Sequence, residues 1–95
     1  MCILMKTDGI LITEPERKID QYGREYIHSQ IIVDTGIGKR PQLVTVTASK
    51  ELGSELLQRG KGQRLGVEGE GHSTGWHGRD KTVNSGINIA AKKLW

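Results

Sequence analysis

Thirteen glycines and only two prolines are spread along the whole of this 95-residue chain. Each glycine inside a helix costs about 1 kcal/mol relative to alanine, so the spread favours many short strands separated by turns. The length makes one domain, residues 1–95, with room for one barrel-sized core and not for two. Apolar residues are 35% of the chain and Phe is absent, so that core must be built from Ile, Leu and Val. No repeat, low-complexity tract or linker divides it.

No apolar run approaches the length of a membrane span. The N-terminal Cys2-Ile3-Leu4-Met5 is interrupted by Lys6 and Asp8, too early for a secretory signal. A cytoplasmic protein without membrane contact is expected. The single cysteine, Cys2, can form no internal disulfide, which fits that compartment. Fourteen Lys and Arg against eleven Asp and Glu leave a net charge of +3, informative only where the cations are grouped. Groups occur at Arg17-Lys18, Lys39-Arg40, Arg59/Lys61/Arg64 and Arg79/Lys81, all in expected loops or loop edges.

A first strand is expected over residues 3–13, with Asp8-Gly9 as a bend within it rather than a turn. Residues 14–23 are polar, hold Pro15 and end in Tyr22-Gly23, the pattern of a long loop. A second strand covers 24–34, with Ile27, Ser29, Ile31 and Val33 on one side and Tyr26, His28, Gln30 and Ile32 on the other. After a basic turn over 35–41, a third strand covers 42–48, where Val44, Val46 and Ala48 alternate with Leu43, Thr45 and Thr47. These three form an antiparallel meander.

One helix is expected over 50–59, with Ser49 as N-cap and Gly60 as the C′ stop. Leu52, Leu56 and Leu57 give it an apolar edge able to plug the end of a barrel. Two more strands, residues 63–71 and 82–92, are joined by a long hairpin loop containing Trp76-His77-Gly78-Arg79-Asp80-Lys81. Three strands, a helix and two strands is the order of the OB-fold. The fold class is therefore all-β with one short helix, a five-stranded Greek-key barrel.

The helical stretch Lys50 to Leu57 is followed by Lys61-Gly62 and then by a strand ending Val67-Glu68-Gly69. Trp76 stands seven positions beyond that glycine, on the hairpin. In this order and spacing the chain resembles the bacterial single-stranded DNA-binding protein family. The likeness is clearest from Ser49 to Ala91. It extends more loosely over the N-terminal half, through the long first strand, the Pro15 loop and Tyr22-Gly23. The Lys-Gly and Val-Glu-Gly motif is moderately specific, because a barrel needs glycines there for backbone reasons.

Two departures stand out. The family's usual members carry a flexible tail with an acidic tip, whereas this sequence stops at Trp95. Leu43 and Thr45 stand where an aromatic residue is expected, beside a shortened loop. The resemblance thus points to a tailless member, similar to the primosomal replication protein or to a phage- or plasmid-encoded variant. It implies single-stranded DNA as ligand, association into a homodimer or homotetramer through the first strand, and replication proteins as further partners.

Binding a single strand needs cations that follow phosphates and flat rings on which bases stack. Trp76 is the foremost ring, since a tryptophan in a polar hairpin has no core to enter; its other role would be packing on the barrel or on a second subunit. Tyr26 shares the outward side of the second strand with His28, and either stacks or covers a neighbouring strand. Tyr22 sits at a loop corner, and a terminal Trp95 suits a groove or interface better than a ligand. Lys39, Arg40, Arg79 and Lys81 lie on loops that can close over a strand, and Arg24 and Arg64 can reach the face between them.

Catalysis finds no footing in the sequence. His72 and His77 flank Trp76, but Cys2 is remote and only Asp80 could join them, short of a metal-binding set. Cys2 lies in an apolar strand, where a thiol is inert. Gly36-Ile37-Gly38-Lys39 lacks the spacing and following helix of a phosphate loop. No cofactor is expected. Two other readings remain beside single-stranded DNA: an OB-fold assembly module for protein–protein contact, and a binder of single-stranded RNA.

Overall fold

Alternation of apolar and polar residues builds the wall of the molecule. The computed structural model describes residues 3–33, 41–77 and 83–95, without the side chains of 73–77 and 83–85. Its elements are β1 (Ile3–Leu11), β2 (Glu16–Ile19), β3 (Glu25–Val33), β4 (Gln42–Ala48), α1 (Lys50–Leu57), β5 (Arg64–His77) and β6 (Val83–Leu94). On β3, Ile27, Ser29 and Ile31 are buried while Tyr26, His28, Gln30 and Ile32 keep partial exposure. On β4, Val44, Val46 and Ala48 are buried and Leu43, Thr45 and Thr47 face outward. The two faces are those the alternation predicts.

The strands follow the order β1-β5-β6-β4-β3-β2, and pairing of Ile10 and Leu11 with Ile32 and Ile31 joins β1 back to β3. That last contact closes the sheet into a barrel. β4 and β6 run parallel, from Val44↔Ile87 to Thr47↔Ala90, and the other neighbours are antiparallel. Leu11, Ile31, Val46, Leu65, Val67 and Ile89 fill the interior, and Leu56 of α1 is fully buried among them. Gly9 stays inside β1 as expected: a side chain there would run into the Ile32 carbonyl oxygen, so only glycine lets β1 cross so close to β3. No helix among the described residues is long and apolar enough to cross a membrane.

Several expectations need correction. The polar stretch read as one long loop contains β2, paired with β3 from Glu16↔His28 to Ile19↔Glu25. Asp20 makes that hairpin: its Oδ1 accepts from the backbone N–H groups of Tyr22 and Arg24 at 2.8 and 2.9 Å, and Gly23 turns at φ 79°. β1 ends at Leu11, because Thr13 leaves the ladder to serve Ser29. The hydroxyls of Thr13 and Ser29 lie 3.2 Å apart, which satisfies the one buried polar side chain among the described residues.

The hairpin is longer than expected. β5 and β6 stay paired out to Trp76↔Asn84 and His77↔Val83, so Trp76 and His77 belong to a strand and not to a loop. β6 also continues to Leu94. The helix stops at Leu57, two residues short of the predicted end, closed by tight bonds from the N–H groups of Gln58 and Arg59 to the carbonyls of Glu55 and Leu56. Gly60 is therefore not its stop. Ser49 holds the N-cap position in an extended conformation without a side-chain capping bond. Leu57 is exposed; buried Gly53 replaces it on the inner edge, where a Cβ would lie 2.9 Å from Ile27 Cγ1.

Candidate nucleic-acid interface

The outward positions of β3, β4 and β6 form one continuous surface. Register places His28 beside Thr47 and Thr47 beside Ala90; the next row is Gln30, Thr45, Asn88 and His72. Tyr26 stands at one end of this surface and Ile32 and Leu43 at the other. Among these described outward positions of β3, β4 and β6 between Tyr26 and Ala90 there is no carboxylate, in a chain with eleven Asp and Glu. Acids appear at its margins: Glu16 opposite His28 on β2, Asp20 beside Tyr26, and Glu70 on β5, whose carboxylate pairs with Lys92 at 3.2 Å. A depression of about 410 Å³ lies beside the Tyr26 ring, walled by Asp20, Thr47 and Ala90.

Of the residues singled out in the sequence, Tyr26 and His28 share this surface. Arg24 lies just before β3 on the hairpin corner, its guanidinium 3.7 Å from Asp20 and over the Tyr22 ring at 5.1 Å. Arg64 sits elsewhere: it opens β5 opposite Ile10, around the barrel on the β1 side, and binds Asp8 at 2.7 Å. Trp76 is held in the β5–β6 ladder, with its side chain outside the described set. Lys39, Arg40, Arg79 and Lys81 also lie outside the described residues. So do Cys2 and Asp80 of the metal grouping; among the described residues no cluster of three His, Cys, Asp or Glu could hold a metal.

No protein-family profile matches the sequence, and no curated protein matches it. Solved structures do. The small single-stranded DNA-binding protein from Streptomyces coelicolor superposes over 100% of this chain and 94% of its own, with TM-score 0.76 at 14% identity. The chain has the fold of single-stranded DNA-binding proteins. The mitochondrial single-stranded DNA-binding protein of S. cerevisiae matches over 100% and 94% of the two chains, with TM-score 0.72 at 15% identity. The corresponding protein from Thermus aquaticus matches 97% of this chain, at TM-score 0.70 and 18% identity, but the match spans only 38% of its length. This OB-fold is the barrel expected from the element order, with β2 added to its first loop.

Sequence reasoning passed over part of the surface. Gln30, Thr45, Thr47 and Asn88 form its centre, yet uncharged polar residues mark any exposed strand face alike. Their common feature, the missing carboxylates, emerges only once register aligns three strands. The Trp95 ring lies against Gly66, where a Cβ would collide with it, and 47% of the residue's surface is exposed.

Proposed function

We propose that this protein binds single-stranded DNA along the outward surface of β3, β4 and β6, without sequence preference. The observation that supports this most is the carboxylate-free face of Tyr26, His28, Gln30, Thr45, Thr47 and Asn88. A polyanion approaching its centre meets no carboxylate, while side-chain amides, hydroxyls and imidazoles offer donors to phosphate or base. Bases stack on Tyr26 and Trp76, and the loop cations Lys39, Arg40, Arg79 and Lys81, with Arg24, follow the phosphates. The strands bound are those exposed in replication, restart, repair or mobile-element transfer, in the cytoplasm.

The working unit in this reading is a dimer or higher oligomer. β1 pairs with β5 along Ile3–Ile10 but with β3 only at Ile10 and Leu11, and Ile3 and Leu4 are exposed at 55% and 69%. An open apolar edge of this kind is readily completed by a second copy.

The deciding experiment titrates labelled oligo-dT, oligo-rU and a matched duplex at two salt concentrations. Oligo-dT should bind more tightly than duplex. With about four phosphates neutralised, log K should fall against log salt with a slope of about −3. Equal affinity for duplex, or a slope near zero, rejects the reading; the latter points to a protein–protein module. Tighter binding of oligo-rU reassigns the ligand to RNA.

A further inference from the structure

We propose that Trp95 is a second stacking platform, lying outside the β3–β4–β6 face, which engages a single strand long enough to run down the β5–β6 hairpin. The inference rests on the single-strand reading above and extends it to a surface that reading does not use.

The ring is unusually well fixed for a side chain near the end of a strand. The Trp95 N–H donates to the Gly66 carbonyl at 3.1 Å, and the Gly66 N–H donates to the Trp95 carbonyl at 2.9 Å. Arg59 Nη1 donates to the same Trp95 carbonyl at 3.2 Å. Gly66 has no side chain, so one face of the indole rests directly on the β5 backbone. Nearly half of the residue is open to solvent. A ring already held in place loses little freedom when a base stacks on it, which favours binding.

The surrounding charge suits a phosphate-bearing partner. Lys6 Nζ lies 5.3 Å from the ring centroid. Lys6 and Arg59 make no ion pair among the described residues. Of the nearby acids, Asp8 is engaged by Arg64 at 2.7 Å, and Glu68 stands in the ladder between Lys6 on β1 and Lys93 on β6. Lys6 therefore lies over an exposed ring, and Arg59 is held at the Trp95 backbone. Lys6 is on a flexible stem and can move from the ring to a phosphate as a base arrives.

β5 runs from His72, on the main face, to Gly66 beneath the indole, a distance of about 20 Å at strand rise. The outward side of that path carries Glu70, paired with Lys92, and Glu68, which stands between Lys6 and Lys93, so each carboxylate a strand would pass has a cation beside it. A short strand confined to the main face would not reach Trp95, and a longer one would.

The test measures polarisation of labelled oligo-dT across lengths of about 4 to 16 nucleotides or somewhat beyond, the range an OB barrel accommodates. Trp95→Ala should weaken the longest strand about five- to hundred-fold, the loss of one stacked base, and change the shortest less than twofold. Trp95→Phe should recover most of the loss. Lys6→Gln leaves the ring in place, should weaken only the long strands, and should reduce the magnitude of their salt slope by about 0.7. Thermal melting of each variant checks the fold; should Trp95→Ala melt early, the Lys6→Gln result decides. Wild-type affinity of either folded variant for the longest strand overturns the proposal, as does a Trp95→Ala change in light-scattering mass without a change in binding. If the wild-type protein binds neither length, the single-strand reading itself has failed and this one falls with it.

Discussion

Placing one negative charge at the centre of the β3–β4–β6 face tests the proposed interface directly. Thr45 is the suitable position. It points outward between Gln30 and Asn88, two neutral amides, so Thr45→Glu meets no carboxylate across either neighbouring strand. Exchange of a half-exposed strand Thr for Glu costs at most about 1 kcal/mol of stability. A phosphate lying on this face would come within about 6 Å of the new carboxylate. Their repulsion is then about 0.7 kcal/mol at the dielectric constant of water and about 2.8 kcal/mol at an effective value of 20. Affinity for oligo-dT should fall about 3- to 100-fold, and the loss should shrink as salt is raised. Polarisation titrations at two salt concentrations measure this, with melting curves to confirm the fold. Gln58→Glu, on the exposed end of α1, is the matched charge control and should cost less than twofold. Equal losses from the two variants would show only a net-charge effect. A folded Thr45→Glu protein that binds as wild type would refute the assignment of the face.

Trp76→Ala should lose about 1–3 kcal/mol of binding with unchanged mass, and Trp76→Phe should retain much of it; a normal affinity with altered mass would move the ring to a subunit interface. Replacing exposed Leu4 with Lys should reduce the oligomer to monomers by light scattering, and a wild type already monomeric at tens of micromolar removes the edge-pairing idea. Leu56→Ala should destabilise the protein by about 2–5 kcal/mol in urea unfolding, because the helix then leaves a cavity at the barrel end. A loss under about 1 kcal/mol would mean α1 is not part of the core.

Where one side of a strand is buried and the other wet, residue order alone carried the structure. Ile27, Ser29 and Ile31 against Tyr26, His28 and Gln30 is such a pattern, and β3 and β4 emerged with the expected faces. β2 gave no such signal, because all of Glu16, Arg17, Lys18 and Ile19 are exposed and the strand is held by backbone pairing with β3. The extended β5–β6 ladder was hidden by glycines at 66, 69, 71, 75 and 86, which read as turn residues although the ladder runs past them. At Gly69 the reason is proximity: a Cβ would run into the Ala90 carbonyl across the bulge between β5 and β6. The site divides similarly. Tyr26 and His28 could be placed by parity, whereas the Arg64–Asp8 pair joins residues 56 positions apart.

The parallel pairing of β4 with β6 also sets an order of events during synthesis. β2, β3 and β4 are neighbours in sequence and can pair as soon as they emerge. β1 and β4 cannot find their remaining partners until β5 and β6 exist, the last stretch of this sequence to be made. At about 5–20 residues per second that stretch takes a few seconds. During this interval the nascent chain carries two open strand edges, one of them bearing Ile3 and Leu4. Non-local pairings of this kind are slow to form and prone to capture by other chains. The barrel is thus closed from its C-terminal side, and a ribosome that stalls within β6 would release a sheet with its seam still open.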